Sequence, residues 1–144
     1  MRLVDLENVT PRRYFTPEEA NALLAILKPA IMQLVELSQR LRELTRTLDP
    51  RKEGSAGHLI LLNESREVRE QAQALVECLQ KEGVQLKALH PVLLDFPALL
   101  QGREVLLCWQ EGEDCLTHWH GTHTGFNGRE PIATQPEGAW AWFS

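Results

Sequence analysis

The sequence is poor in the features that assign a chemistry at sight. It holds three cysteines, Cys78, Cys108 and Cys115, an odd number with no CxxC pair among them. That leaves no disulfide framework and no paired-cysteine zinc or redox motif, so the three read as buried free thiols. There is no GxSxG, no HExxH and no glycine loop closed by GK[ST]. The nucleophile elbow, the zinc-protease helix and the P-loop are therefore missing. The cysteines stand in apolar stretches rather than beside a cationic activator, which argues against a thiolate nucleophile. No unbroken apolar run reaches about 18 residues, the length a membrane-spanning helix needs. The opening Met1-Arg2-Leu3-Val4-Asp5-Leu6-Glu7 has acids where a signal peptide has its apolar run. The expectation is a cytoplasmic protein with no membrane partner. Positive charge is short as well: 15 Lys and Arg against 20 Asp and Glu give a net charge of −5, with the signs interspersed. That argues against nucleic acid as a partner, because displacing counterions needs a positive surface.

What is there suits one folded domain. The chain has 144 residues, 43% of them hydrophobic, enough for a core. Residues 1–15 form a lead-in with little pattern. Thr16-Pro17-Glu18-Glu19 then opens a helix: Thr16 caps, Pro17 occupies the first helical position, and Glu19 closes a capping box. Glu18 and Glu19 suit the positive end of the helix dipole better than a catalytic pair, since neighbours on a helix point about 100° apart. Leu23, Leu27, Ala30, Leu34, Leu37, Leu41, Leu44 and Leu48 alternate steps of four and three, a coiled-coil seam. A helix over 17–48 would be about 48 Å long. Pro29 interrupts it without breaking the phase, and Asp49-Pro50 stops it. Residues 50–57 read as a loop. A second helix follows over about 58–82, with Leu61, Ser65, Val68, Ala72, Leu75 and Leu79 as its seam and Gly83 as its C-cap. A short polar loop between two long helices makes them antiparallel. Leu24, Ile31 and Val35 flank the first seam, so the sheet or a second copy of the chain should cover them.

From Gly83 the pattern becomes strand-like. The expected strands are Val84 to Leu89, Val92 to Phe96 (ended by Pro97), Glu104 to Gln110, and Cys115 to His120, with a turn over 98–102 and a hairpin turn at Glu111-Gly112-Glu113-Asp114. A tight turn there puts Val105, Leu107 and Trp109 on one face with Leu116, His118 and His120. Leu106, Cys108, Cys115, Thr117 and Trp119 then share the other, unless a bulge intervenes. Gly121, Gly125 and Gly128 predict backbone conformations closed to other residues. The tail, Ala139-Trp140-Ala141-Trp142-Phe143, is aromatic enough that it must dock on the domain or on a neighbour. The fold class is α+β: a long antiparallel helical hairpin (16–83) packed with a small antiparallel sheet and glycine-rich loop (84–132), then the aromatic tail (133–144).

Several stretches carry a resemblance. Tyr14-Phe15-Thr16-Pro17-Glu18-Glu19-Ala20-Asn21 opens the long helix. Gly83-Val84 with Lys87 and Asp95-Phe96-Pro97-Ala98 follow, then Gly102-Arg103-Glu104-Val105-Leu106-Leu107-Cys108-Trp109, and last Trp119-His120 with Gly125-Phe126-Asn127-Gly128-Arg129-Glu130-Pro131-Ile132. Together, over roughly residues 13–132, they resemble an uncharacterised bacterial family, domain-of-unknown-function family 2203. The resemblance implies a fold class and a motif set but no reaction. Ala88 stands where the family tends to have an acid after the lysine. His120 belongs to the pattern, whereas His118 and His123 do not, which counts against a metal site built on all three.

The candidate chemistry gathers near the end of the sheet. His118 and His120, two apart on a strand, can point one way and offer two imidazoles to zinc, with His123 folding back across Gly121 and a cysteine or a carboxylate, Glu104 or Asp95, completing the shell. Gly125 to Arg129 can form an anion site, although a structural loop with Arg129 paired to Asp95 or a helix carboxylate is preferred. Trp109 and Trp119 can line a pocket but read first as core. Three functions stay open. An interaction or self-associating protein built on the helical seam ranks first, with a homo-oligomer or a protein partner. A small-molecule or divalent-metal-binding domain at Asp95, Trp109, Trp119, His120 and Arg129, with His118 and His123, ranks second. An enzyme using His120 as a base, assisted by Asp95 or Arg129, ranks third.

Overall fold

The computed structural model describes residues 13–136 and 138–140. Most of the lead-in, and Trp142 and Phe143 of the tail, lie outside them. Helix α1 (Pro17–Thr47) begins at the expected capping box: Thr16 Oγ1 accepts from Glu19 N, and Glu19 Oε1 accepts from Thr16 N. It runs unbroken through Pro29, whose ring lies on the exposed side. A short 3-10 turn (Pro50–Lys52) leads to Ser55, which caps helix α2 (Ala56–Lys81), two residues earlier than the spacing predicts. Gly83, at φ +90°, ends α2: its N–H donates to Gln80 O, and Val84 N–H donates to Leu79 O. These are the paired bonds of a glycine C-cap, and Leu79 and Val84 both join the core below it.

A five-stranded antiparallel meander follows: β1 (Gln85–Leu89), β2 (Val92–Leu100), β3 (Arg103–Gln110), β4 (His118–Gly121) and β5 (Glu130–Pro131), paired in chain order. The fold class is α+β. Pro97 does not end β2, which continues to Leu100. β1 reaches only as far as Asp95, so Pro97 sits where no neighbouring strand needs its missing N–H, and its carbonyl accepts from Phe15 N of the lead-in. The turn expected over 98–102 shrinks to Gln101-Gly102, with φ of 51° and 82°. Two left-handed residues suit the twist of a two-residue hairpin.

The helices cover one face of the sheet. Leu94, Phe96, Ala98 and Leu100 of β2 and Val105, Leu107 and Trp109 of β3 share a core with Leu24, Ile31, Leu34 and Val35 of α1 and with Ala72, Val76 and Leu79 of α2. The residues flanking the first seam are thus covered within this chain. α2 buries its seam at Ser65, Val68, Ala72 and Leu79 as spaced, but α1 buries a broader arc, because it meets α2 on one side and the sheet on the other. Leu27, Leu37 and Leu41 of its seam are only half-buried. By length and composition alone α1 is apolar enough to cross a membrane, although no single run of its sequence is unbroken; here its apolar side forms the core. Of the tail, Trp140 is buried edge-on to Trp119, and Ala139 O accepts from Gln101 N.

A Cβ at position 83 would add left-handed strain and stand 3.2 Å from Arg13 Cβ. Gly83→Val is expected to destabilise the fold by about 1–2 kcal/mol, measured by urea unfolding; an unchanged midpoint would remove this cap from the account.

Candidate functional site

The register of β4 on β3 decides which side chains meet. Leu106 pairs with His120, Leu107 with Trp119, and Cys108 with His118. That is one residue away from the register a tight hairpin would give, and a one-residue slip turns every side chain over. The expected faces are therefore corrected. Trp119 shares the helix-facing side with Leu107 and Trp109, while His118 and His120 share the outer side with Leu106 and Cys108. Cys115 lies in the connection instead of in β4, and it and Cys78 are exposed; only Cys108 is a buried thiol.

The slip has a visible cause. Residues 111–117 are a clamped loop. Glu113 accepts from Gln110 N and, with its two carboxylate oxygens, from Arg129 Nη2 at 3.1 and 2.9 Å, while its carbonyl accepts from Trp109 Nε1; Arg129 Nη2 also donates to Cys108 O at 3.4 Å. Asn21 of α1 brackets the Leu116 backbone, accepting from its N–H and donating to its carbonyl. Lys28 donates to Asp114 O. Arg129 is thus paired with a carboxylate, and that carboxylate is Glu113 rather than Asp95 or a helix acid. Its guanidinium also lies over the Phe126 ring, 4.6 Å from the centroid.

On the outer face, Asp95 of β2, Cys108 of β3 and His120 of β4 converge. Their ligand-type atoms all lie within 4.8 Å of one another, and all three residues are buried. They form the base of a cleft of about 300 Å³, roofed by the loop that follows β4 through Thr122, Gly125 and Phe126. Gly125, at φ 65° and ψ −172°, adopts a conformation only glycine tolerates. Gly121 and Gly128 do not, against expectation. Gly128 is needed for space, since a Cβ there would stand 2.7 Å from Thr124 Cβ. Thr124 Oγ1 in turn accepts from Gly121 N.

His120 is held at both ring nitrogens. Nδ1 lies 2.8 Å from Gly121 O, and Nε2 lies 3.1 Å from Asp95 Oδ1. A carbonyl only accepts, so Nδ1 carries a hydrogen, and a further proton must lie between Nε2 and the carboxylate. Burial, and after it the Asp95 carboxylate, pushes the Cys108 thiol up to about 12. A thiol held that high is neutral near pH 7 and a poor nucleophile.

The three histidines do not come together. Among the described residues, the group able to hold an ion is Asp95, Cys108 and His120. His118 faces the same side as His120, but its Nδ1 bonds Thr117 Oγ1, and His123 is exposed on the turn. Trp109 and Trp119 lie across the sheet from the cleft, in and against the core. The sequence singles out Asp95 and His120 and allows a cysteine ligand without pointing to Cys108. The signal available was an acid inside the apolar run Val92-Leu-Leu-Asp-Phe-Pro-Ala-Leu-Leu100, which needs a partner once buried.

The model of the family described as "Uncharacterized conserved protein (DUF2203)" matches residues 13–132, most of the chain. The chain belongs to DUF2203. The match takes in all three residues of the cluster, the cleft above it and the Glu113–Arg129 clamp. No curated protein and no solved structure matches this DUF2203 chain significantly.

Removing Glu113 would leave Arg129 enclosed without its carboxylate; their side chains are 25% and 15% exposed. Glu113→Ala is expected to cost about 2–4 kcal/mol, less than a fully buried pair would. Adding Arg129→Met should restore part of it in a double-mutant cycle, and strictly additive losses would refute the clamp. The thiol supplies a pH dependence. The unfolded chain releases the Cys108 proton near its ordinary value of 9.0, but the folded chain keeps it up to about 12. Stability from this group should therefore fall as pH rises from about 9 toward 12. Comparing unfolding midpoints with Cys108→Ala over that range checks it: equal slopes for the two proteins would contradict the buried thiol.

Proposed function

We propose that this protein binds a divalent transition metal, zinc in the first instance, through Asp95, Cys108 and His120. The observation that carries the reading is the convergence of a carboxylate, a thiol and an imidazole within 4.8 Å at the buried base of a cleft. Zinc takes all three donors, at roughly 2.0–2.3 Å, which puts tetrahedral ligand atoms roughly 3.3–3.8 Å apart. The trio needs only a small contraction to reach that. The hard ions magnesium and calcium prefer all-oxygen shells, so sulfur and nitrogen donors disfavour them. The second support is the Nδ1–H bond of His120 to Gly121 O, which presents Nε2 as the ligand atom. Ligating histidines are commonly oriented through a backbone carbonyl in this way. An ion at this place would replace the proton between His120 and Asp95 and the thiol proton of Cys108, trading hydrogen bonds for coordination.

The expected outcome is near-stoichiometric zinc in the purified, untagged protein, with a raised melting temperature when zinc is added to metal-free protein. Uptake in weak buffer should release about two protons per ion. His120→Ala, Asp95→Asn and Cys108→Ser should each lower affinity more than about 100-fold. Their helical circular dichroism should stay intact. A protein with neither metal content nor a zinc-dependent melting shift would end this reading.

The interaction reading keeps one support of its own. Leu59, Ile60 and Leu62 at the start of α2 are 56%, 66% and 40% exposed, and clustered exposed apolar side chains are a feature of contact surfaces. Light scattering of the intact chain and of a Leu59→Ser, Ile60→Ser variant tests it: a monomer in both cases counts against self-association.

A further inference from the structure

Among the described residues the cluster offers three ligands, Asp95, Cys108 and His120, and a cleft lies beside them. His118 stands opposite Cys108 on the same face, but its Nδ1 is bonded to Thr117 Oγ1 and it does not line the cleft. Zinc sites that serve only structure are closed by four protein ligands, whereas sites that act on a molecule keep one position open. Besides the buried trio, the cleft is lined by Lys87 and by Thr122 and Gly125 of the roofing loop, all exposed, and by the apolar Leu93, Leu106 and Phe126.

Charge narrows what can occupy it. A divalent ion held by one carboxylate and one thiolate is neutral as a unit. An anion in the open position would leave a net negative charge in a partly enclosed site, which needs a cation in reach. Arg129 is taken by Glu113. Lys87 is the cationic residue lining the cleft, and it makes no ion pair among the described residues. It stands at the irregularity between Leu86 and Ala88, where the β1–β2 ladder shifts register, and a bulge re-aims the side chain it carries. At about 300 Å³ the cleft is at the small end of ligand pockets.

We propose that the open metal position and Lys87 together bind a small organic carboxylate, one oxygen on the metal and the other on the Lys87 ammonium, with an apolar or ring-shaped body against Leu93, Leu106 and Phe126. This rests on the metal reading above, and the test separates the two. Cobalt(II) replaces zinc, giving visible bands that report its coordination, and benzoate, benzyl alcohol and inorganic phosphate are titrated in turn. Benzoate should change the bands saturably and benzyl alcohol should not. Lys87→Met should weaken benzoate about tenfold or more, the size of one charge-assisted hydrogen bond. Phe126→Ala should weaken it less, and neither variant should change cobalt content. If the intact protein retains no cobalt, both readings fail. If cobalt is held and benzoate leaves its spectrum unchanged, the carboxylate site alone fails. Phosphate acting at lower concentration than benzoate, or Lys87→Met binding benzoate as well as the intact protein, would also overturn it.

Discussion

Glu113 and Asn21 hold residues 111–117 in a path that no tight turn would follow, and the outer face of the sheet depends on that path. Glu113 uses both its carboxylate and its carbonyl, tying Gln110, Trp109 and Arg129 to a single residue. Asn21 offers its side-chain amide to the Leu116 backbone as a neighbouring strand would. The clamp thereby satisfies backbone groups that a loop over a core would otherwise leave unpaired. It also delivers β4 in the register that puts His120 opposite Leu106 instead of against the helices. A slip of one residue would bury both histidines among leucines and turn Trp119 outward, losing the core contact and the cluster together.

The cluster itself solves a cost created by the strand. A carboxylate buried in an apolar strand is expensive unless it is paired. Asp95 is 2% exposed and meets the His120 ring and the Cys108 thiol. The hydrogen bond with His120 makes the buried acid tolerable, but apolar side chains of the same volume would hold the strand as well without that cost. All three polar groups are kept under a loop, with a cleft above them, where apolar packing would serve the strand equally well. That is the physical ground for reading the trio as ligands.

Much of the fold was legible in the sequence, because helices announce themselves locally. The capping box at Thr16, the stop at Asp49-Pro50, the Gly83 cap and the antiparallel hairpin all follow from residues within a few positions of one another. The site was legible only in part. Asp95 and His120 stood out as polar residues in strands, but their meeting depends on partners 25 positions apart. Cys108 was masked by its apolar neighbours, and the histidine spacing drew attention to His118 and His123, which the register and the turn send elsewhere. Pro97 misled for a related reason. A proline ends a strand only where a neighbour needs its N–H, and that is a fact about β1's length.

The arrangement also separates two kinds of contact. The helices occupy one side of the sheet and the cleft the other, so the exposed apolar residues of α2 and the Asp95–Cys108–His120 base share no atoms. They are nevertheless joined mechanically through α1. Its first turns carry Asn21 and Lys28, which hold the loop that sets β4, and its later turns pack on α2. A shift of α1 along the sheet would strain the bracket on Leu116 before it disturbed the core, because hydrogen bonds are directional and apolar packing is more forgiving. The register of β4, and with it the place of His120, therefore depends on where α1 sits.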